Sequence, residues 1–543
     1  MEHGAAAPPW WHGAVLYQLY VRSWLDTDGD GYGDLRGILS RLDYLEQLGV
    51  DGIWLSPTMP SPDTDWGYDV SDYLGVHPEL GTLADLDELI AQAGARGMQV
   101  LLDLVPNHTS SAHPWFIDAS SSRDAAHRDY YVWADAAPGG GPPNNWLDAT
   151  GHPAWTWDDR TGQFYLHNFL VTQPDLNWWQ PAVHEEFRRV LEFWFDRGVA
   201  GFRVDVAHAL YKDALLRDNP PVAPRDAGDP LAGHFGQRQV YNANQPQVHG
   251  VYRDWRKIAG EHLPERLLLG ETWVRDPATL AAFYGDDDEL QLAFNFPFVF
   301  AGFTAAELAG VVRRTLETIP AGACPVWMAS NHDVGRFPSR WCGDDDQRAR
   351  LGLLLLATLP GAVVLYYGDE IGMVDVAVPP ELQRDEMTLA QDQPSSDRDR
   401  GRTPMQWDGS ASGGFTTAGR PWLPVGDAAA RNVADQRADP GSTLSLCRDL
   451  LALRRAELGG GIAPYQELAV SGGLWAYQVG GLRVLANLSG EPVTWPGRSG
   501  EVLLTTSGAA GPDGGAGPAG GRRPGGPVTL GPWQGVITRV DAG

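Results

Sequence analysis

Eight short apolar segments alternate with amphipathic stretches of helical periodicity along most of this 543-residue chain. The apolar segments have the length and composition of buried strands and cover residues 14–24, 51–57, 98–108, 198–207, 266–273, 289–298, 325–333 and 361–370. The helical patterns cover residues 36–48, 83–96, 182–197, 249–262, 305–318, 345–358 and 442–456. This alternation predicts an α/β fold, a closed parallel (β/α)8 TIM barrel, in preference to a doubly wound open sheet.

Two segments depart from the alternation. The third strand ends near His108 and the next barrel helix begins near Ala182, so residues 109–180 are predicted to form an inserted, irregular domain B. Residues 461–543 carry short patterns typical of antiparallel strands, which predicts a C-terminal β-sandwich with a flexible Gly/Pro-rich loop at 507–526. The barrel itself then comprises residues 1–108 and 181–460.

The composition excludes several function classes. A formal net charge of −28 disfavours binding to nucleic acid or to an anionic membrane. Three widely spaced cysteines, Cys324, Cys342 and Cys447, fit neither a disulfide framework nor a zinc site, so a reducing compartment, the cytoplasm, is expected. The first residues lack the features of a signal peptide, and no uncharged apolar stretch reaches about 18 residues.

Acidic and histidine side chains stand at the ends of four predicted strands. These ends are DLVPNH (103–108), FRVD (202–205), GETW (270–273) and SNHD (330–333). Because the functional residues of a TIM barrel collect at the carboxyl ends of its strands, we expect these side chains to converge in one mouth. Convergent carboxylates repel one another unless they are paired or used, so a purely structural role is disfavoured.

Three convergent carboxylates suit the hydrolysis of a glycosidic bond. One can attack the anomeric carbon, a second with a raised pKa can protonate the leaving oxygen, and a third can hold sugar hydroxyls. Arg203, two residues before Asp205 on the same strand face, would keep that carboxylate ionised and oriented.

The motifs together resemble the α-amylase superfamily of retaining glycoside hydrolases. DLVPNH, GFRVDVAH (201–208), GETW and SNHD look like its four conserved regions, and QPDLNW (173–178) resembles its fifth region. GDEIGM (368–373) and RGRTPMQWD (400–408) are similar to the α-glucosidase and oligo-1,6-glucosidase branch. The motifs occur in the expected order over nearly the whole chain.

The resemblance implies a role for each matching residue. Asp205 would be the nucleophile, Glu271 the acid/base and Asp333 the transition-state stabiliser. Other residues would bind glucose in subsite −1: His108, Arg203 and His332 around the sugar, Tyr68 as its platform, and Asp65 and Arg402 at its non-reducing end. A pocket closed by Asp65 and Arg402 implies release of single glucose units; the alternative for these two residues is a surface ion pair.

The segment DTDGDGYGD (26–34) has the features of a cation loop. Asp26, Asp28 and Asp30 alternate with small residues in an oxygen-rich turn that a hard cation prefers, although the Glu of an EF-hand is absent. The resemblance implies structural calcium, or magnesium, with Asp26, Asp28, Asp30, the Tyr32 carbonyl and Asp34 as ligands; a solvated acidic turn is the alternative. Asn107 and Asp175 match the interdomain calcium site of α-amylases, where no metal is expected in this branch.

The sequence therefore predicts an exo-acting retaining α-glucosidase that acts, as a monomer or homodimer, on short oligosaccharides such as maltose, without an organic cofactor. An oligo-1,6-glucosidase and a transglucosylase or sucrose- or trehalose-active isomerase remain alternatives on the same scaffold. A non-catalytic sugar-binding subunit is disfavoured because all three carboxylates are present. The residues after the nucleophile give a divided signal: Val206 accompanies α-1,6 preference among relatives, whereas Ala207 and His208 depart from that pattern and favour α-1,4 bonds.

Overall fold

Eight parallel strands form the central sheet of the protein. The structure is a computed structural model that describes residues 8–222, 237–391, 397–498, 500–509 and 526–540. The strands are β1 Val15–Leu19, β2 Gly52–Leu55, β3 Gln99–Leu104, β4 Gly201–Val204, β5 Leu267–Gly270, β6 Leu292–Ala293, β7 Val326–Met328 and β8 Ala362–Tyr366. Their order is β7-β8-β1-β2-β3-β4-β5-β6, so strands adjacent in sequence are adjacent in space. Within the described residues no ladder joins β6 to β7, which leaves a nearly closed TIM barrel, and the predicted fold class is confirmed.

The predicted helices are present, with one division. The long helices are Leu83–Ala95, Pro181–Asp196, Val248–Gly260, Ala305–Thr318, Asp346–Thr358 and Thr443–Leu458. The expected helix at 36–48 is divided into Leu35–Leu39 and Leu42–Leu48. Shorter helices are Pro114–Ala119, Pro277–Ala282, Phe296–Val299, Phe337–Arg340, Glu386–Leu389 and Val433–Ala438.

The prediction of a strand through residue 298 was wrong. The apolar run at 289–298 contributes only Leu292–Ala293 to the sheet and continues as the helix Phe296–Val299. The Asn295 side chain accepts a hydrogen bond from the Phe298 N–H, which caps this helix, and Pro297 stands in its first turn. Local capping and the preference of proline for the first turn thus outweigh the apolar pattern.

The inserted segment carries a small sheet of its own. Strands Trp133–Ala134, Trp155–Asp158 and Gln163–Leu166 pair antiparallel around a cluster that includes Trp146, Trp155 and Phe164. An antiparallel bridge between His108 and Asp175 joins the two ends of the insertion. This bridge places the end of β3 beside the QPDLNW motif.

The C-terminal residues form two antiparallel sheets. The larger sheet contains Tyr465–Ser471, Leu474–Val479, Leu482–Asn487, Val502–Thr505, Gly508–Ala509 and Gly535–Arg539, and the smaller contains Val493–Trp495 and Val528–Leu530. Leu474 and Leu485 of the larger sheet share an apolar cluster with Val528 and Leu530 of the smaller one. Most of the loop predicted at 507–526 lies outside the described residues, but Gly508 and Ala509 pair as a strand.

No helix among the described residues is long and apolar enough to cross a membrane.

A buried carboxyl group lies just beyond the end of β8 and forms no ion pair with any of the described residues. Glu370 is fully buried, and its Oε1 accepts hydrogen bonds from the hydroxyls of Tyr17 at 2.8 Å and Tyr44 at 2.6 Å. Its Oε2 has no hydrogen-bond partner among the described residues. Burial raises the pKa of Glu370 above its ordinary value, despite the two tyrosine hydroxyls.

Glu370→Gln should therefore weaken the pH dependence of stability. The unfolded chain releases the Glu370 proton near the ordinary glutamate pKa, whereas the folded protein retains it to higher pH. Between these two pKa values, the free energy of unfolding falls by up to about 1.4 kcal/mol for each unit that the pH rises. Glutamine preserves the acceptor for both tyrosines and cannot ionise. Denaturant unfolding between pH 5 and pH 8 should show a flatter profile for the variant; parallel profiles would contradict a neutral Glu370.

Candidate active site

The guanidinium of Arg203 lies at the centre of the carboxylates at the barrel mouth. It comes from β4, where Arg203 is aligned with Asp103 of β3 and its side chain is fully buried. Its Nη1 lies 2.8 Å from Asp103 and 2.5 Å from Asp205, and its Nη2 lies 2.5 Å from Glu271. The carboxyl ends of three neighbouring strands are therefore joined through one cation. The sequence predicts the pair of Arg203 with Asp205, but not the contacts of Arg203 with Asp103 and Glu271.

Three carboxyl groups compete for this single positive charge. Burial raises the pKa of Asp103 to about 7, and burial together with neighbouring carboxylates raises the pKa of Asp205 and Glu271. Arg203 lowers all three pKa values but can compensate only one negative charge. The group thus retains a proton at neutral pH, which is the state that a general acid needs.

The peptide after Asp205 also contacts Glu271. Val206 has a φ of 44°, a left-handed conformation that a β-branched residue rarely adopts. In this conformation its N–H donates to Glu271 Oε2 at 3.0 Å, while Arg203 contacts the other carboxyl oxygen. The Val206 N–H therefore joins the backbone next to Asp205 to the carboxyl group of Glu271, and contacts of this kind are needed to hold a strained φ.

Asp333 and His332 lie beyond β7 beside Tyr68. The Tyr68 hydroxyl lies 2.6 Å from His332 Nε2 and 3.0 Å from Asp103. Burial lowers the pKa of His332, so its imidazole is neutral. Burial raises the pKa of Asp333, but the positive charges of Arg398 and Arg402 lower it to about 2, so Asp333 is an anion.

Asp65 forms its ion pair with Arg398, a residue that the sequence analysis missed. Arg398 Nη2 lies 2.9 Å from Asp65, and its Nη1 lies 3.2 Å from Asp333. Arg402, which the resemblance grouped with Asp65, instead contacts Asp333 at 3.3 Å and the His332 carbonyl at 2.9 Å. Both Asp65 and Arg402 are buried, so the alternative of a surface ion pair is wrong.

Gln173 is a second residue without a predicted role. Its Nε2 lies 3.1 Å from Asp65 and 3.2 Å from His108. Gln173 therefore links the insertion to the loop of Asp65 and to the loop of His108. The signal was available, because Gln173 begins the QPDLNW motif and Arg398 stands four residues before Arg402. No spacing rule distinguishes Arg398 from Arg400 and Arg402, whereas the three-dimensional contacts do.

A lysine lies between Asn107 and Asp175, the pair that matches the interdomain calcium site of α-amylases. The buried Lys212 ammonium lies 2.7 Å from Asp175 and 2.7 Å from Asn107 Oδ1. Its fixed positive charge neutralises Asp175 and would repel a divalent cation at the same position.

The aspartates of the 26–34 loop form a second cluster of oxygen ligands. Carboxylate oxygens of Asp26, Asp28 and Asp34 lie within 4.8 Å of one another. Asp34 also accepts a hydrogen bond from the Gly37 N–H and so caps the following helix. Asp30 is not in this cluster, and its carboxylate accepts from the Tyr32 N–H at 2.8 Å. An oxygen-only set that includes a buried carboxylate fits a hard cation.

The chain is similar to one protein family and to several named proteins over most of its length. The family described as "Alpha amylase, catalytic domain" matches residues 18–459. A protein described as "Probable alpha-glucosidase" from Rhizobium meliloti is 42% identical over 82% of this chain and 83% of its own length. An oligo-1,6-glucosidase from Heyndrickxia coagulans is 37% identical over 82% and 85%. The crystal structure of the α-glucosyl transfer enzyme XgtA superposes with a TM-score of 0.89 at 36% identity and covers 98% of this chain and 100% of that one.

Proposed function

Because this chain belongs to the α-amylase family, we propose that it is an exo-acting retaining α-glucosidase that releases glucose from the non-reducing end of short α-glucosides. The observation that carries the exo assignment is the Asp65–Arg398 ion pair, 2.9 Å long and next to Asp333. A glucan chain running through the site would have to displace this pair. A terminal glucose unit can instead satisfy it with hydroxyl groups.

The reaction uses the carboxyl groups around Arg203. Asp205 attacks the anomeric carbon and forms a glucosyl ester while Glu271 gives its proton to the leaving oxygen. Glu271 then takes a proton from water, the water oxygen attacks the anomeric carbon, and the ester bond to Asp205 breaks. Asp333, an anion held by two arginines, stabilises the positive charge that develops on the sugar ring.

The other buried side chains bind the glucose unit. His108 and the neutral His332 face the sugar hydroxyls, Arg203 orients Asp205, and Tyr68 forms the platform on which the ring lies.

Asp65 and Arg398 bind the hydroxyls at the non-reducing end, and Arg402 supports Asp333. Gln173 supports Asp65 from the insertion.

We assign a preference for maltose and malto-oligosaccharides over isomaltose to His208, whereas Val206 acts in the opposite direction and favours the α-1,6 bond. Val206, held in its left-handed conformation, narrows one side of the acceptor site. His208 is 6% exposed, its Nδ1 has no hydrogen-bond partner among the described residues, and burial lowers its pKa to about 4. A neutral imidazole can hydrogen-bond an acceptor hydroxyl and favour an α-1,4 linkage. Isomaltose remains a second substrate, because one such contact discriminates by only about 1–3 kcal/mol.

Glucosyl transfer is the second candidate, favoured by the similarity to XgtA. It requires the same ester on Asp205 and differs only in the attack of a sugar hydroxyl in place of water.

We also propose that the loop of residues 26–34 binds a structural calcium or magnesium ion. The carboxylates of Asp26, Asp28 and Asp34 would hold the cation, with Asp30 and the Tyr32 carbonyl as the further ligands that the family resemblance implies. The cation would neutralise the acidic loop; it takes no part in the reaction. The three cysteines are free and buried, which supports a cytoplasmic location for the enzyme. We further propose that the enzyme is a monomer or homodimer.

Glu271→Gln tests the assignment of the catalytic pair. Turnover of maltose should fall by about 10²–10⁴-fold because the leaving oxygen receives no proton. Turnover of α-glucosyl fluoride, whose leaving group needs no proton, should fall far less. Asp205→Asn should abolish the turnover of both substrates. Equal losses on the two substrates for Glu271→Gln would contradict the acid role.

Asp28→Ala tests the cation loop. Calcium at a hundredfold excess over its dissociation constant should stabilise the wild type by about 2.7 kcal/mol, seen as a higher Tm than in a chelator. The variant should lose this difference and keep its kcat at low temperature. Asp124→Ala, which removes an exposed carboxylate outside the loop, is the control and should retain the difference. A wild-type Tm that neither calcium nor magnesium changes would contradict the proposal.

A further inference from the structure

The glucose pocket has two walls that meet at the Asp65–Arg398 ion pair. The first wall is the loop of residues 61–69, which carries Asp65 and Tyr68. The second wall consists of residues 384–385 and 397–399, which carry Asp385 and Arg398. The contacts between these walls determine how well the pocket keeps its shape when no sugar is bound.

The first wall has a strained backbone. Asp63 and Trp66 have φ values of 62° and 50°, in the left-handed region that side-chain-bearing residues rarely adopt. The Asp69 carboxylate accepts hydrogen bonds from the Ser61 hydroxyl at 2.6 Å and from the Asp65 N–H at 3.1 Å, which closes the loop on itself. A conformation of this kind persists only where surrounding contacts hold it.

Trp66 supplies contacts that hold the loop from outside. Its ring centroid lies 5.0 Å from that of Trp422 and 6.2 Å from that of Tyr32, and the Arg22 guanidinium lies 5.4 Å from it. Arg22 also forms an ion pair with Asp63 at 2.6 Å. The ring of Trp66 is therefore fixed, and its indole N–H has a defined direction.

That indole N–H reaches the second wall. It donates to the Arg384 carbonyl at 2.8 Å. The N–H groups of Arg384 and Asp385 both donate to the Asp399 carboxylate, at 2.5 and 3.0 Å, which joins the two parts of this wall. The fully buried Asp385 then pairs with Arg398 through Nε at 2.9 Å and Nη2 at 2.5 Å.

These contacts form a closed ring from one wall to the other and back. The path leads from Asp65 to Trp66 along the backbone, through the indole to Arg384, along the backbone to Asp385, and through Arg398 back to Asp65. We propose that Trp66 is a positioning residue that holds the glucose pocket closed by joining the loop of Asp65 to the wall of Arg398. This inference deepens the proposed function and rests on it, since the pocket is the one that we assign to glucose.

Loss of the indole hydrogen bond should weaken the binding of glucose more than the chemical step. Trp66 makes no hydrogen bond to Asp205, Glu271 or Asp333 among the described residues. If the walls separate, the free protein must order them again on binding, so the apparent affinity falls. The bound complex, closed by the sugar itself, then reacts at nearly the original rate.

Trp66→Phe keeps an aromatic ring and removes the N–H donor. We expect the KM for maltose and the Kd for glucose, measured by calorimetry, to rise about five- to tenfold, with kcat within about twofold. Trp157→Phe is the matched control, because its indole N–H donates to Asp159 at 3.0 Å on the inserted domain; its constants should not change. An unchanged Kd for glucose in Trp66→Phe, or a fall in kcat as large as the rise in KM, would overturn the proposal.

A double-variant comparison tests whether Trp66 and Asp385 belong to the same ring. Asp385→Asn should also raise the Kd for glucose, and the two substitutions together should raise it by less than the product of their separate effects. Multiplicative effects would overturn the coupling. The calorimetric measurement needs no turnover, so wild-type protein that binds glucose without hydrolysing maltose would refute the proposed function and still test the role of Trp66.

Discussion

The chemistry of this protein depends on the burial of one guanidinium among three carboxyl groups. Arg203 contacts Asp103, Asp205 and Glu271 from within the barrel, where water cannot screen their repulsion. The excess of negative charge keeps a proton in the group, and the ion pair with Arg203 orients Asp205. In the proposed mechanism, one structural arrangement thus prepares a nucleophile and a proton donor that need opposite charge states.

A second arrangement gives the site its shape. Asp65 and Asp333 come from different barrel loops and share the guanidinium of Arg398, while Gln173 of the inserted segment supports Asp65. The Lys212 ammonium neutralises Asp175 of the inserted segment and also binds Asn107 after β3, so one lysine joins the insertion to the barrel. The substrate pocket is consequently built where barrel, insertion and the segment before Arg402 meet.

The sequence predicts most of the fold and the residues at the strand ends, because both depend on local patterns. The alternation of short apolar segments with helical patterns locates all eight barrel strands. The polar residues that follow these strands are necessarily neighbours in a barrel. The prediction fails where local bonds outweigh the pattern, as in the helix capped by Asn295. It also fails at Arg398, because a choice among Arg398, Arg400 and Arg402 depends on how the chain returns over the barrel mouth, and residue spacing carries no such information.

The covalent intermediate on Asp205 is the central claim, and the anomeric form of the first product tests it most directly. Proton NMR of the hydrolysis of an aryl α-glucoside, whose leaving group is not a sugar, shows which anomer of glucose is released when the spectra are recorded before mutarotation equilibrates the product. Two successive displacements at the anomeric carbon predict that α-glucose appears first, with β-glucose formed only by mutarotation. Initial release of β-glucose would require direct attack by water and would contradict the role of Asp205 as nucleophile.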